Sequence, residues 1–304
     1  MKIYAISDLH LSFKTDKPMD LFGGHWTGYE DKILADWNSK LGSNDIGVIA
    51  GDISWAMKMS EAEDDFAFLK KLNGRKIIIR GNHDYWWSSI GKVREALGED
   101  VIALQNDAVR FDGNGMKSVE KAPSKKTNKA LDMDGLSKSF KALAGNSAIV
   151  INECSADDPD KRCRKCNDKI ASGEMIGKPS DVGGIVFAGT RGWKVLERKQ
   201  VQKDDDKKIF DREVLRLELA LQDAVVKKKD GDKLVVIIHY PPFNAMRDDS
   251  AFTQMMEEYK VDICIYGHLH GKGGRKELET IKNGIKYYLT SCDLLDFRVA
   301  EIEV

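Results

Sequence analysis

The chain has 304 residues, 42% of them hydrophobic and 32% charged, with a formal net charge of -1. That length carries a large core, and the balanced charge gives no field that would draw nucleic acid or an anionic membrane. No apolar run approaches the roughly 20 residues needed to cross a bilayer. The first strand begins close to Met1, so the expectation is a cytoplasmic protein without a secretory leader.

In chain order, residues 3–6 (Ile3-Tyr4-Ala5-Ile6) read as a short buried strand that runs into Asp8-Leu9-His10. Residues 29–41 carry Ile33, Leu34, Trp37 and Leu41 at helical spacing. A second apolar run, residues 46–50, ends at Gly51-Asp52, and a helix is expected over 61–72 with Phe66, Leu69 and Leu72 on one face. A third run, 76–80, ends at Gly81-Asn82-His83-Asp84. A helix over 88–97 stops at Gly98, the usual place for a glycine after a helix. Short strands are expected at 101–104 and 108–111.

Regularity then breaks from about 113 to 183, a polar stretch that is lysine-rich at first and punctuated by glycine. Ile185 to Arg191 reads as a strand running into a loop, and it is expected to pair with the strand at 108–111. The span between is then an insertion in a hairpin connection, since connections of that length are functional or disordered. It is a candidate cap over a site, or a protein-binding element.

The second half resumes the pattern. Residues 208–229 form an amphipathic helix through Phe210, Val214, Leu217, Leu221 and Val225, with lysines in its last turn. The run 234–238 ends at His239, and after a helix around 250–259 the run 261–266 ends at Gly267-His268-Leu269-His270. Asn283-Gly284, between 276–282 and 285–289, marks a hairpin.

Five polar motifs thus follow strand-like runs. In an α/β sheet the carboxyl ends of buried strands open into a common crevice, where imidazole, carboxylate and amide groups would converge as transition-metal ligands. Five of the six histidines fall in these motifs. The set, in this order, resembles the calcineurin-like metallophosphoesterase superfamily, with its Asp-x-His, Gly-Asp, Gly-Asn-His-Glu/Asp, His and Gly-His-x-His.

The resemblance implies one metallophosphoesterase domain over residues 1–304 interrupted by the insertion. Its fold would be a four-layer sandwich of two mixed β-sheets flanked by helices. It also implies two divalent metal ions. One would take Asp8, His10, Asp52 and His270; the second Asp52, Asn82, His239 and His268, with Asp52 bridging. An imidazole-rich set suits manganese, iron or zinc better than magnesium or calcium. Two such ions about 3.5–4 Å apart activate a hydroxide and stabilise charge on a phosphate. His83 is implied as the group that protonates the leaving alkoxide or contacts the phosphate, and Asp84 as support for the loop or a ligand histidine. Arg191 is a candidate phosphate-gripping guanidinium.

The expected activity is therefore hydrolysis of a small phosphomonoester or phosphodiester. Phosphoprotein phosphatases of the superfamily carry Gly-Asp-x-x-Asp-Arg-Gly, whereas here Trp55 and Ala56 stand where that Asp and Arg would be. Phosphoprotein dephosphorylation is thus an alternative reading, as is a non-catalytic protein-binding platform on the same fold. His25 reads as a loop residue, and Trp55, Trp86 and Trp87 as core. Of the five cysteines, Cys264 and Cys292 read as small buried hydrophobes. Cys154, Cys163 and Cys166 include a Cys-x-x-Cys knuckle, a candidate structural zinc site that lacks an evident fourth ligand.

Overall fold

In a computed structural model, the structure describes residues 1–113, 183–198, 200, 203–271 and 277–304. The insertion, with Cys154, Cys163 and Cys166, lies outside them, and so do the expectations of a cap and of a structural zinc there.

Two mixed sheets are present. In the first, β1 (Ile3–Ile6), β2 (Ile46–Ile49), β3 (Arg75–Ile79) and β4 (Val101–Leu104) run parallel in the order β1-β2-β3-β4. The second has β5 (Asp107–Phe111), β6 (Ile185–Thr190), β7 (Lys233–Ile238), β8 (Ile263–Tyr266), β9 (Glu279–Lys282) and β10 (Ile285–Leu289), in the order β5-β6-β7-β8-β10-β9. Its inner four are parallel, and β5 and β9 pair antiparallel at the edges. A last strand, β11 (Ala300–Ile302), which sequence patterning did not reveal, runs antiparallel beside β1.

Alternation along the strands builds the layers, because successive side chains leave opposite faces. Ile3, Ala5, Val48, Ile77 and Ile79 of the first sheet pack with Phe187, Val235, Ile237 and Ile265 of the second in one cluster between the sheets. The outer face of the first sheet, with Tyr4, Ile6, Ile49 and Ile78, is covered by α1 (Tyr29–Lys40), α2 (Glu63–Lys71) and α3 (Ile90–Leu97). That of the second, with Val186, Ala188, Val236 and Cys264, is covered by α4 (Asp204–Lys227) and α5 (Ala251–Glu258). Each large apolar side chain buried in these layers contributes about 1.5–3 kcal/mol. This is the expected arrangement of two mixed sheets between helices.

Several boundaries moved from their expected places. The long helix starts at Asp204 rather than 208, because Asp204, Asp205 and Asp206 in its first turn suit the positive end of the helix dipole. The helix expected over 61–72 begins at Glu63, after a 3-10 turn at Met59–Glu61. The pairing of β5 with β6 is as expected, with Phe111 opposite Ile185. Beside it Arg110 grips Asp232 through two bonds of 2.6 and 2.9 Å, and Asp232 also accepts the Gly184 N–H at 2.6 Å. Cys264, Cys292, Trp86 and Trp87 are buried as expected. No helix among the described residues is long and apolar enough to cross a membrane.

Candidate metal centre

The carboxyl ends of β1, β2, β3, β7 and β8 lead directly into the polar motifs, and the structure brings Asp8, His10, Asp52, Asn82, His239, His268 and His270 together. Two groups of three form: Asp8, His10 and His270, and Asp52, His239 and His268. In the first, His270 Nε2 lies 3.2 Å from Asp8 Oδ1 and 3.3 Å from His10 Nε2. In the second, Asn82 Oδ1 sits 2.8 Å from His239 Nε2 and 2.9 Å from His268 Nδ1. Asp52 Oδ2 of the second group faces the first, 3.4 Å from His239 Nε2 and 4.0 Å from His10 Nε2.

The backbone holds these side chains in uncommon conformations. Asp8, His10, Asp52 and His268 have φ of 60°, 49°, 52° and 73°, in the left-handed region that L residues enter at some cost. Close approach explains two motif glycines. A Cβ on Gly81 would stand 2.0 Å from Asp52 Oδ1, and one on Gly267 would stand 2.2 Å from Ser7 Oγ. Asp8 Oδ2 accepts from the Ser291 hydroxyl at 3.0 Å and the His268 N–H at 2.9 Å, and Ser7 Oγ also donates to it.

Supporting contacts orient the imidazoles. His239 Nδ1 lies 2.9 Å from the Ala50 carbonyl, so Nδ1 carries the proton and the Nε2 lone pair faces inward. His270 Nδ1 lies 3.0 Å from Asp293 Oδ1, which does the same for that ring. Sequence patterning missed Asp293, although it follows the end of β10 much as the motif residues follow theirs.

The donor set fits cations. Ring nitrogens of His10 and His270 face each other at 3.3 Å, and the buried Asp8 Oδ1 stands 3.2 Å from the same His270 Nε2. Acceptors crowded in this way need a proton or a cation between them. Against burial, Asp293 and Asp8 raise His270 to about 10, and Asp52 raises His239 to about 9. Burial instead lowers His10 and His268 to about 4, leaving both as neutral ligands. Charge thus accumulates where a cation would take the place of a proton.

His83 stands beside the cluster without joining either group of three. Its ring lies 4.4 Å from Trp55 and 6.1 Å from Tyr85, its backbone N–H donates to Asp52 Oδ1 at 2.7 Å, and burial lowers its pKa. Trp55, expected in the core, is only partly buried and stacks on His10 at 4.8 Å, walling the site. Tyr240 covers the opposite group, 4.2 Å from His268. Asp84 is fully buried and accepts from Gly81 N at 2.7 Å, Ile53 N at 2.9 Å, Ser54 N at 3.1 Å and Trp86 Nε1 at 3.0 Å. Burial, and then the charge of Asp52, push its pKa up to about 6.

Arg191 is partly buried after β6 and lies 3.0 Å from Glu213 Oε1, with its guanidinium 4.9 Å over the Trp193 ring. Its carbonyl accepts the His239 and Tyr240 N–H groups at 3.0 and 3.1 Å, which ties its loop to the metal cluster. His25 is exposed in a 3-10 turn, against Trp26 and Phe297.

A family model described as calcineurin-like phosphoesterase matches residues 1–272. Among solved structures, the chain is similar to a protein of unknown function from Aquifex aeolicus at 12% identity and a TM-score of 0.42. It is also similar to a phosphopantetheinyl hydrolase from Mycobacterium tuberculosis at 14% identity and a TM-score of 0.43. Each alignment covers 99% of this chain and 95% of the other. No curated protein matches at a significant level.

Proposed function

The chain belongs to the calcineurin-like phosphoesterase family, and from that premise we propose that it hydrolyses the ester bond of a small phosphomonoester or phosphodiester at a two-cation centre. The observation that carries this reading is the meeting of seven ligand-type side chains from five strand ends, with Asp52 of one group of three facing the other. Asp8, His10, Asp52 and His270 would hold one divalent cation, and Asp52, Asn82, His239 and His268 the other. Bound there, manganese, iron or zinc would supply positive charge for the phosphate oxygens and lower the pKa of the attacking water.

The protein's own groups do the rest. Ala50 and Asp293 fix two imidazole tautomers, so their lone pairs are preorganised. Trp55 and Tyr240 line the site with aromatic surface that limits water. His83 donates a proton to the leaving oxygen as the P–O bond breaks, and the guanidinium of Arg191 grips a phosphate oxygen of the substrate. Trp55 and Ala56, in place of a carboxylate and an arginine, favour a small ester over a phosphoprotein.

Metal analysis of the purified protein, with turnover of p-nitrophenyl and bis-p-nitrophenyl phosphate, tests the proposal. Two cation equivalents with turnover of either ester are expected; a metal-loaded protein inert on both would overturn it.

His83→Ala separates the acid role from simple positioning. Turnover of an alkyl phosphoester should fall by about 10²-fold or more, because an alkoxide needs a proton to leave. Nitrophenolate leaves unaided, so loss on p-nitrophenyl phosphate should stay within about tenfold. Equal losses on the two esters would argue against the acid role.

A further inference from the structure

A cavity of about 220 Å³ lies against the loops that support the cluster, lined in part by Arg80, Asn106, Thr190, Arg191, Glu213 and Arg216. Arg80 directly precedes the Gly81-Asn82-His83-Asp84 loop and gives Nε to the Asp84 carbonyl at 3.2 Å. Arg191 carries the carbonyl that holds the His239 backbone. The cavity therefore shares its framework with the metal cluster, although none of the seven cluster residues lines it.

Its charge is not balanced. Three guanidinium groups line it against one carboxylate, the fully buried Glu213, whose Oε1 binds Arg191 at 3.0 Å and Arg216 at 2.8 Å. Polar atoms are also left without partners. Thr190 Oγ1, on a residue 2% exposed, and Arg191 Nε are buried donors with no hydrogen bond among the described residues. Asn106 Oδ1 and Glu213 Oε2 are unpartnered too among the described residues; the amide can present its N–H₂ instead by turning over, and Glu213 Oε2 is the one acceptor left over among these donors. Buried donors without acceptors are rare in folded proteins. Surplus guanidinium charge with an added hydroxyl donor matches the oxygens of a phosphate group.

We propose that this cavity seats a second phosphate group of the substrate, one that is held and not hydrolysed. Resting on the hydrolase reading above, this narrows the substrate class to organic bisphosphates, in which each phosphate is a separate ester. The cleaved phosphate sits at the metal cluster, and its companion sits between Arg80, Arg191 and Arg216.

The test begins with binding. The full chain is dialysed against EDTA, so that no metal remains to hold anions, and is titrated with inorganic phosphate by calorimetry. The wild type should bind phosphate, and Arg216→Gln and Thr190→Val should each weaken that binding by about tenfold, roughly one lost charge-assisted or hydroxyl contact. Thr190→Val keeps the side-chain shape and removes only an unpartnered hydroxyl, so it should fold even if loss of Arg216 unsettles Glu213.

Kinetics then separate a substrate anchor from a site for free phosphate. With the metal-loaded protein, the ratio of kcat/KM for fructose 1,6-bisphosphate to that for p-nitrophenyl phosphate should fall by about tenfold in both variants. Absent phosphate binding in the wild type, or binding undiminished in both variants, overturns the site. Weakened binding with an unmoved ratio overturns its assignment to substrate. Failure of the hydrolase reading would look different: phosphate would still bind the chelated wild type while no phosphoester turned over.

Discussion

Asp52→Asn is expected to lower turnover by about 10³-fold, the upper range for removing one preorganised group from a charge-stabilising site. One oxygen of this carboxylate lies 3.4 Å from His239 Nε2 of its own group and 4.0 Å from His10 Nε2 of the other. The amide has nearly the same shape and keeps an oxygen to accept the His83 N–H, a bond of 2.7 Å in the wild type. Folding should therefore survive, while the negative charge facing both groups of candidate ligands is lost. Far-UV circular dichroism close to wild type, with bound metal below two equivalents, is the expected pattern. Full metal content with wild-type turnover would show that Asp52 does not bridge.

Asp84→Ala is expected to act on stability first. This carboxylate ties the loops after β2 and β3 by accepting from Gly81, Ile53 and Ser54 backbone N–H groups and from the Trp86 indole. Alanine would leave four donors in a site closed to water, each costing about 1–3 kcal/mol when unmatched. Relief of the repulsion between Asp84 and Asp52 offsets part of that. A net loss of about 4 kcal/mol or more is expected, from urea unfolding monitored by tryptophan fluorescence, a large fraction of the stability of a typical domain. Asp84→Asn retains an acceptor and should lose clearly less. An alanine variant as stable as the wild type would mean that the loops hold without the knot.

Much of the fold was legible because the chemistry and the strands share their ends. Apolar runs halting at Asp8, Asp52, Asn82, His239 and His268 marked both the strands and the place where they open. What stayed hidden depends on neighbours that only folding creates. Asp293 reaches His270 across 23 positions and Ser291 reaches Asp8 across 283, so no local pattern contains either pair. Trp55 reads as core by its type, and only the fold sets it against His10 and His83. Arg191 stood out as a candidate phosphate ligand, but its tie through Glu213 to Arg216 exists only once the fold sets the loop after β6 against α4. Strand β11 is three residues long and offers too little alternation to be read. The left-handed backbone at Asp8, His10, Asp52 and His268 has no counterpart in the residue types, since none of the four is glycine.

The register that sets Phe111 against Ile185 carries one more consequence. Rungs of an antiparallel ladder stand about 5 Å apart, so the polypeptide departs from the sheet and rejoins it at almost the same spot. Nothing in the two sheets has to stretch or shift to accommodate what is spliced between those rungs, and the entropy of closing such an excursion grows only with the logarithm of its length. Evolution can therefore exchange, lengthen or trim that passage without renegotiating the catalytic rim, which makes this gap in the ladder a natural port for tailoring the enzyme to new surroundings.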